Sequence, residues 1–542
     1  MAVTGLQNYA SSLFEPQESV LNAGVLFAIP ALISQGILQI FKVFKPLPAG
    51  FYGLHHIILM LCYMALCRIK NPEQLKKHPP GELGKLLGLD RIPEVGYFRK
   101  KLKQIIDQSK CDELHTELFS SWVKEMPEMF FYIDGHVRVY HGDLATLPKR
   151  FVSREKLCLS GTTEFWINDA KGLPLMVLTG ELNEKLKVAI ELAIPKILKE
   201  LTVIPGSKNP VFTLVFDREA YEPNWFIKLW KEYRVAVITY RKNVTDKWDH
   251  SSFDTFDTQL YNTNVTMQLC EKETTLNGHS FREIRRLSKN EHQTSIITTH
   301  PNLIVLETAA KMFTRWTQEN FFKYMSENFG FDRMIEYGTE SVDQNLSIPN
   351  PEYNKLTYKL KKAREKRARL EARVYQKINE NEQANHDQIM KKIAKCSPLI
   401  EQINEYTIEI NTHIEKRKAT PARITVAQMP PEHRYNKLKQ EGKKLKNAIA
   451  MIVYRSESAL FNILDEYYPG NKKDGREILK EIFTSDADLI PDYKKKELHI
   501  RLHSLSTPRT NKVVKKLCTF LNNTETLYPY TNWKLVYETV AI

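Results

Sequence analysis

The stretch FFYIDGHVRVYHG, Phe130 to Gly142, decides how this chain is read. Four apolar or aromatic residues lead into Asp134, and apolar and polar positions alternate after it. That is the pattern of a β-strand with a carboxylate set inside it. A buried charge is costly unless something pairs with it. Asp134 therefore calls for a metal ion, a salt-bridge partner or a catalytic duty.

Working outward, EKLCLSGTTEFWIND and LPLMVLTG read as two more strands, joined by the turn Asp169 to Gly172. LNEKLKVAIELAIPKILKEL reads as a helix that Pro195 should kink or split. PVFTLVFD is a short apolar strand ending in Asp217, EPNWFIKLWKEY a helix, and RVAVITYRK a strand. Hairpin-joined strands followed by alternating helices and strands predict an α/β fold with a mixed sheet covered by helices. Asp217 then lies at the carboxyl end of its strand, where open α/β sheets place ligand sites. A long helical run from Asn302 to Gly330 carries Glu319, with Arg315 and Lys323 one turn to either side. Three converging carboxylates suit hard divalent ions with oxygen ligands. Two such ions about 4 Å apart can activate an attacking oxygen and stabilise a leaving one at a phosphodiester. The competing reading is that each acid is structurally paired. Glu219 fits better as a helix-start acid than as a ligand, and His136 and His141 as packing or surface residues.

The rest of the chain divides by composition. Residues 1–125 read as a helical N-terminal DNA-binding domain. In it, Pro- and Gly-broken short helices precede a basic helix with Arg99, Lys100, Lys101 and Lys103. That arrangement suits either a helix-turn-helix unit or a solvated basic face. The sheet core spans 126–245 and 296–345, interrupted by a β insertion over 246–295. Residues 346–450 form a basic helical arm and linker. Between Asn354 and Lys377 ten Lys or Arg stand against two Glu, with apolar residues at helical spacing. Residues 451–542 read as a small α/β C-terminal domain whose clearest strand is ELHIRLH.

Composition bounds the function. A net charge of +14 over 542 residues points to a polyanionic partner, nucleic acid first. Seven dispersed cysteines fit a reducing compartment better than a disulfide framework. The start has no signal-peptide pattern. The apolar runs beginning at Val20 and Phe51 are interrupted by Asn22, Pro30, Gln35, His55 and His56, so they read as buried helices rather than membrane spans.

The chain resembles bacterial insertion-sequence transposases of the DDE type. The segments that carry the resemblance are GFYGLHHIILM, IKNPEQLKK, PGELGKLLGLDR, FYIDGHVRVYHG, LCLSGTTEFWIND, FTLVFDREAY, REIRRL, HQTSIITT, RWTQENFFKYM and ADLIPD. The resemblance implies an RNase H-like core with a β insertion before the glutamate. It implies Asp134, Asp217 and Glu319 as catalytic ligands of two Mg²⁺ (or Mn²⁺) ions. It also implies binding of double-stranded DNA at terminal inverted repeats and at a target, action as a homodimer on DNA, and a cytoplasmic, nucleoid-associated setting. The family's Tyr-x2-Arg-x3-Glu-x6-Lys signature is kept at Arg315 and Glu319, whereas Met312 replaces the Tyr and Ser326 the Lys, with Lys323 a substitute. Arg315 and Lys323 would then touch DNA ends. Trp248 suits either ordinary packing or, as in some members of the family, stacking on a flipped base. Arg282, Arg285 and Arg286 face either phosphate or plain solvent, and the ten-to-two charge of the basic helix points Lys361, Lys362, Arg364 and Arg367 to a phosphate backbone rather than a merely solvated face. Other readings are a repurposed DNA-binding protein of the same fold, a nuclease without strand transfer, and a membrane-associated helical protein.

Overall fold

The apolar runs around Asp134 and Asp217 become neighbouring strands. Phe130–Val139 pairs in parallel with Phe212–Phe216, Tyr132 opposite Val215, and Phe212–Phe216 pairs in parallel with Val235–Tyr240. On its other side Phe130–Val139 runs antiparallel to Leu157–Asn168, which in turn pairs with Pro174–Glu181. These observations come from a computed structural model describing residues 7–140, 149–152, 157–181, 184–202, 207–260, 263–330, 339–340, 344–345, 347–379, 394–429, 437–467 and 472–540.

Both faces of the central strands are apolar because both are covered. On one face Phe131, Ile133, Leu214, Phe216 and Val237 join the helices Leu186–Glu200 and Pro223–Tyr233 in the main core. On the other, Phe130, Tyr132, Val215 and Ile238 pack with Leu303, Ala309 and Met312, the last two on the helix Val305–Phe313. Pro195 does not split its helix. Pro195 and Glu191, whose carbonyl loses its i+4 donor, both lie on the exposed side, where water can satisfy that oxygen.

Beyond Val235–Tyr240 the sheet continues. Gln293–Thr298 pairs antiparallel with it, followed by His279–Leu287, Thr263–Leu276 and Asp254–Leu260, so the segment 254–298 extends the same sheet to ten strands among the described residues.

The chain divides into two compact units. The first holds Met1–His141, Pro148–Tyr337 and Lys439–Ile542, the second Gly142–Leu147 and Gly338–Leu438. In the first unit a four-stranded sheet joins the two ends of the chain, with Gln17–Val20 paired to Ala487–Asp492, then Glu497–Leu502 and Lys534–Thr539. The helix Glu441–Tyr467 runs across residue 450 and is buried along most of its length. Among the described residues no single helix is long and apolar enough to cross a membrane. The pair Ala23–Ser34 and Ile37–Val43 is apolar enough only together, is bent by 63°, and has most of its apolar side chains in the core.

In the second unit the helices Pro351–Asn379 and Ser397–Ala419 lie antiparallel. Arg417 sits over Tyr353, Lys366 over Tyr406, and Leu360, Ala363 and Ile410 form the seam. Two short antiparallel ladders, Thr339–Glu340 with Lys437–Leu438 and Ser347–Pro349 with Arg423–Thr425, close its base.

Candidate active site

The parallel ladder that sets Tyr132 opposite Val215 brings Asp134 and Asp217 level, two residues further along each strand. Side chains two apart share a face, so both carboxylates lie on the side covered by the helix Val305–Phe313. Asp134 Oδ1 accepts the Gly135 N–H at 2.9 Å. Asp217 follows the last residue of its strand and accepts the Arg218 N–H at 2.5 Å, capping the short turn Arg218–Ala220.

The long helical run expected over 302–330 is two helices, Val305–Phe313 and Trp316–Phe329, interrupted at Thr314 and Arg315. The interruption is tied down, since the Thr314 and Tyr132 hydroxyls are 3.0 Å apart and Lys311 pairs with Glu128. It also turns Arg315 onto the carboxylates. Arg315 Nη1 lies 3.2 Å from Asp134 Oδ2 and Nη2 lies 3.6 Å from Asp217 Oδ2, with the guanidinium almost fully buried. One cation therefore bridges two acids on adjacent strands. Burial pushes the Asp134 carboxyl up to about 6; Arg315 and the Gly135 N–H oppose that rise, and Asp217 and Glu219 add to it. Burial thus disfavours the charged form of this carboxyl, and the Arg315 guanidinium offsets part of that cost.

Glu319 lies on the helix Trp316–Phe329, one turn beyond Arg315. Its side chain lies outside the described residues, as does His141. Among the described residues no group of three or more His, Cys, Asp or Glu is arranged to hold a metal ion. Lys323 is exposed on the same helix. The helix's far half is anchored: Tyr324 meets Glu457, which is fully buried between Arg68 at 3.1 Å and Arg476 at 3.2 Å.

The basic residues of the segment 254–298 are placed differently from one another. Arg285 is fully buried. It pairs with Glu283 and Asp246 at 2.7 Å each and lies 4.2 Å over the Trp248 ring. A guanidinium taken up by buried Glu283 and half-exposed Asp246 has little donor surface left for a phosphate. Arg282 is bound to Glu271 at 2.5 Å and to the His300 carbonyl at 2.8 Å. Arg286 is half-buried, 4.8 Å over the Phe313 ring. Trp248 carries Arg285 on its ring and Lys272 at 4.9 Å, with its backbone held in both directions by Gln293. His136 is buried and stacks on Phe322.

Lys361, Lys362 and Arg364 of the arm are exposed, and Arg367 is half-buried. Glu365 lies 3.9 Å from Lys361 and 3.4 Å from Lys362, and Glu371 lies 3.1 Å from Arg367. In the N-terminal region Lys101 is buried against the Pro48 carbonyl and Arg99 pairs with Glu73, leaving Lys100 and Lys103 exposed.

Among the described residues, two further buried charge clusters leave no mark in the local sequence. One is the Glu457 group. The other centres on Glu164, which meets Lys443 at 2.6 Å, Asn447 at 2.8 Å and Arg138 at 3.6 Å. Their members are far apart in the chain, so no local spacing announces them. Its spacing to Glu319 singles out Arg315 in the sequence, but its place as the shared partner of both aspartates depends on the strand register.

No protein of curated function matches the chain in sequence. A family model described as "Transposase protein" matches residues 1–541. The chain belongs to that transposase family, and so to the enzymes that bind and process DNA.

Proposed function

We propose that the protein is a DDE-type transposase that binds the ends of its element, cleaves phosphodiesters by two-metal hydrolysis and joins the freed 3′-hydroxyl to target DNA. The observation that carries this is the placement of Asp134 and Asp217 side by side on adjacent parallel strands, sharing one cation. The strand order supports an RNase H-like core. Numbered in chain order, the five strands Phe130–Val139, Leu157–Asn168, Pro174–Glu181, Phe212–Phe216 and Val235–Tyr240 lie third, second, first, fourth, fifth, with the second antiparallel to the first and the short strand Lys149–Val152 pairing with the start of Leu157–Asn168.

The donor set fits hard divalent ions, being oxygen-only and already organised around positive charge. Asp134 and Asp217 would hold Mg²⁺ or Mn²⁺, with Glu319 as the third ligand that the resemblance implies. Such ions supply an activated oxygen nucleophile and leaving-group stabilisation. The chain's own contribution is positioning. The sheet fixes both aspartates, the Tyr132–Thr314 contact fixes the helix break, and the Glu457 group fixes the far half of the glutamate helix. The exposed lysines and arginines of the arm suit the phosphate backbone, and the net charge of +14 suits attraction to DNA. A DNA-bound homodimer in a bacterial cytoplasm fits this activity.

The test is cleavage of a supercoiled plasmid carrying the cognate ends with Mg²⁺ or Mn²⁺, beside a gel-shift titration. Asp134→Asn and Glu319→Gln should each abolish cutting and joining while DNA binding persists. Wild-type protein that binds the ends and never cuts would favour a repurposed binder, and cutting without joining a nuclease. Variants that cut like wild type would move the active site elsewhere.

A further inference from the structure

Arg315 raises a question that the proposed activity does not answer. Its guanidinium spans the gap between the Asp134 and Asp217 carboxylates, at 3.2 and 3.6 Å. Those are the oxygens that the proposed function assigns to divalent ions. Two cations cannot share that gap without strong repulsion at short range. A divalent ion must therefore displace Arg315 or bind weakly beside it.

The surroundings make displacement feasible. Arg315 is not within a regular helix; it follows Thr314 at the break between Val305–Phe313 and Trp316–Phe329. The Tyr132 and Thr314 hydroxyls, 3.0 Å apart, anchor the backbone beside Arg315, so the exchange needs only the long arginine side chain to swing. Asp217 is about half exposed, so the guanidinium lies next to a side open to solvent. A group that would draw the guanidinium out must itself be anionic and offer paired oxygens. A phosphodiester does so, and arginine binds it with a bidentate fork.

We propose that Arg315 is an internal counter-ion that occupies the metal site of the DNA-free protein and is exchanged for metal when a DNA phosphate takes the guanidinium. This rests on the proposed assignment of Asp134 and Asp217 as metal ligands. DNA and metal then bind with positive coupling, and coupling of this kind is reciprocal. Without DNA the aspartates stay neutralised by the chain itself, and the metal-loaded state forms chiefly where a phosphate backbone is present. That would keep the protein from nicking DNA it has not engaged.

The experiment measures Mn²⁺ binding to the full chain by electron paramagnetic resonance of free Mn²⁺, without any activity readout. The proteins are wild type, Arg315→Gln, Arg315→Lys, Asp134→Asn and the Arg315→Gln/Asp134→Asn double variant, each with and without a short duplex. Without DNA, Arg315→Gln should bind Mn²⁺ roughly tenfold more tightly than wild type, within the usual range of coupling between sites. The double variant should lose that gain. Arg315→Lys, which keeps the charge, should stay close to wild type. Adding duplex to wild type should strengthen the Asp134-dependent part of Mn²⁺ binding, and this arm needs no Arg315 variant to fold. Equal Asp134-dependent affinity for wild type and Arg315→Gln, with no effect of duplex, would overturn the inference while leaving the metal site standing. No Asp134-dependent Mn²⁺ binding in any protein, with or without duplex, would overturn the metal assignment and the inference with it.

Discussion

At the residue scale, the surroundings of a charge decide its work. Arg282, Arg285 and Arg286 lie within five positions of one strand, yet only register separates their roles. Arg285 points to the face where Glu283 and Ser295 are buried, with Asp246 closing over it. Removing one partner of a buried ion pair typically costs about 3–5 kcal/mol. Arg285→Ala should therefore lower stability by that order, read by chemical denaturation, while the salt dependence of DNA binding stays at the wild-type slope. A reduced slope with unchanged stability would return Arg285 to the DNA surface. Glu164 makes a pH prediction. Burial alone would raise its carboxyl, but Lys443 and Arg138 outweigh burial and hold it down at about 2. A depressed folded-state value means that the stabilisation is present above the ordinary carboxylate range and is lost as pH falls through the folded value. The stability gap between wild type and Glu164→Gln should be widest at about pH 7 and narrow by about pH 3. A gap that grows in acid would contradict the pairing.

At the element scale, the strands around the aspartates were legible because each is an apolar run bounded by turn residues. FFYI, FTLVF and VAVITY all appear as read. What local pattern could not supply was pairing. The segment 246–295 reads as an insertion by its broken rhythm, yet Gln293–Thr298, which begins inside it, joins the main sheet through Ile296 opposite Tyr240. Likewise QESV near the start is too short to read as a strand, and it exists because Ala487–Asp492 offers it an edge. The helix break at Thr314 and Arg315 carries no Gly or Pro to announce it, and a tertiary contact holds it. The helix Trp316–Phe329 depends on a distant group: Glu457, buried between Arg68 and Arg476 and joined to Tyr324. Glu457→Gln should speed hydrogen exchange of amides in 320–329 relative to the strand Phe212–Phe216, and slow DNA cleavage more than it weakens DNA binding. Unchanged exchange there would remove Glu457 as a positioning residue.

At the scale of the whole molecule, charge is distributed with purpose. The helix Pro351–Asn379 buries Leu360, Ala363 and Leu370 and exposes most of its cations, so it presents a basic surface without relying on isolated, unpacked helix. Replacing Lys359, Arg364, Arg369 and Arg373 with Glu should weaken DNA binding and flatten its salt dependence. Each lost phosphate contact lowers the log–log slope by about 0.9. Equal affinity and slope would reduce the helix to a solvated arm. The sequence made this surface visible through a ten-to-two imbalance within one helix. It could not show that the chain's two ends share one sheet, because strands nearly the full length of the chain apart leave no periodic trace.

The central claim is that Asp134, Asp217 and Glu319 converge on divalent metal. It is tested most directly by anomalous diffraction from crystals of the protein bound to a duplex carrying its element end and soaked in Mn²⁺. The account predicts Mn²⁺ peaks in contact with the Asp134 and Asp217 carboxylates, Glu319 as a further ligand, and the Arg315 guanidinium moved onto a phosphate. Ordered DNA with Mn²⁺ bound elsewhere, and Arg315 still bridging the two aspartates, would contradict it.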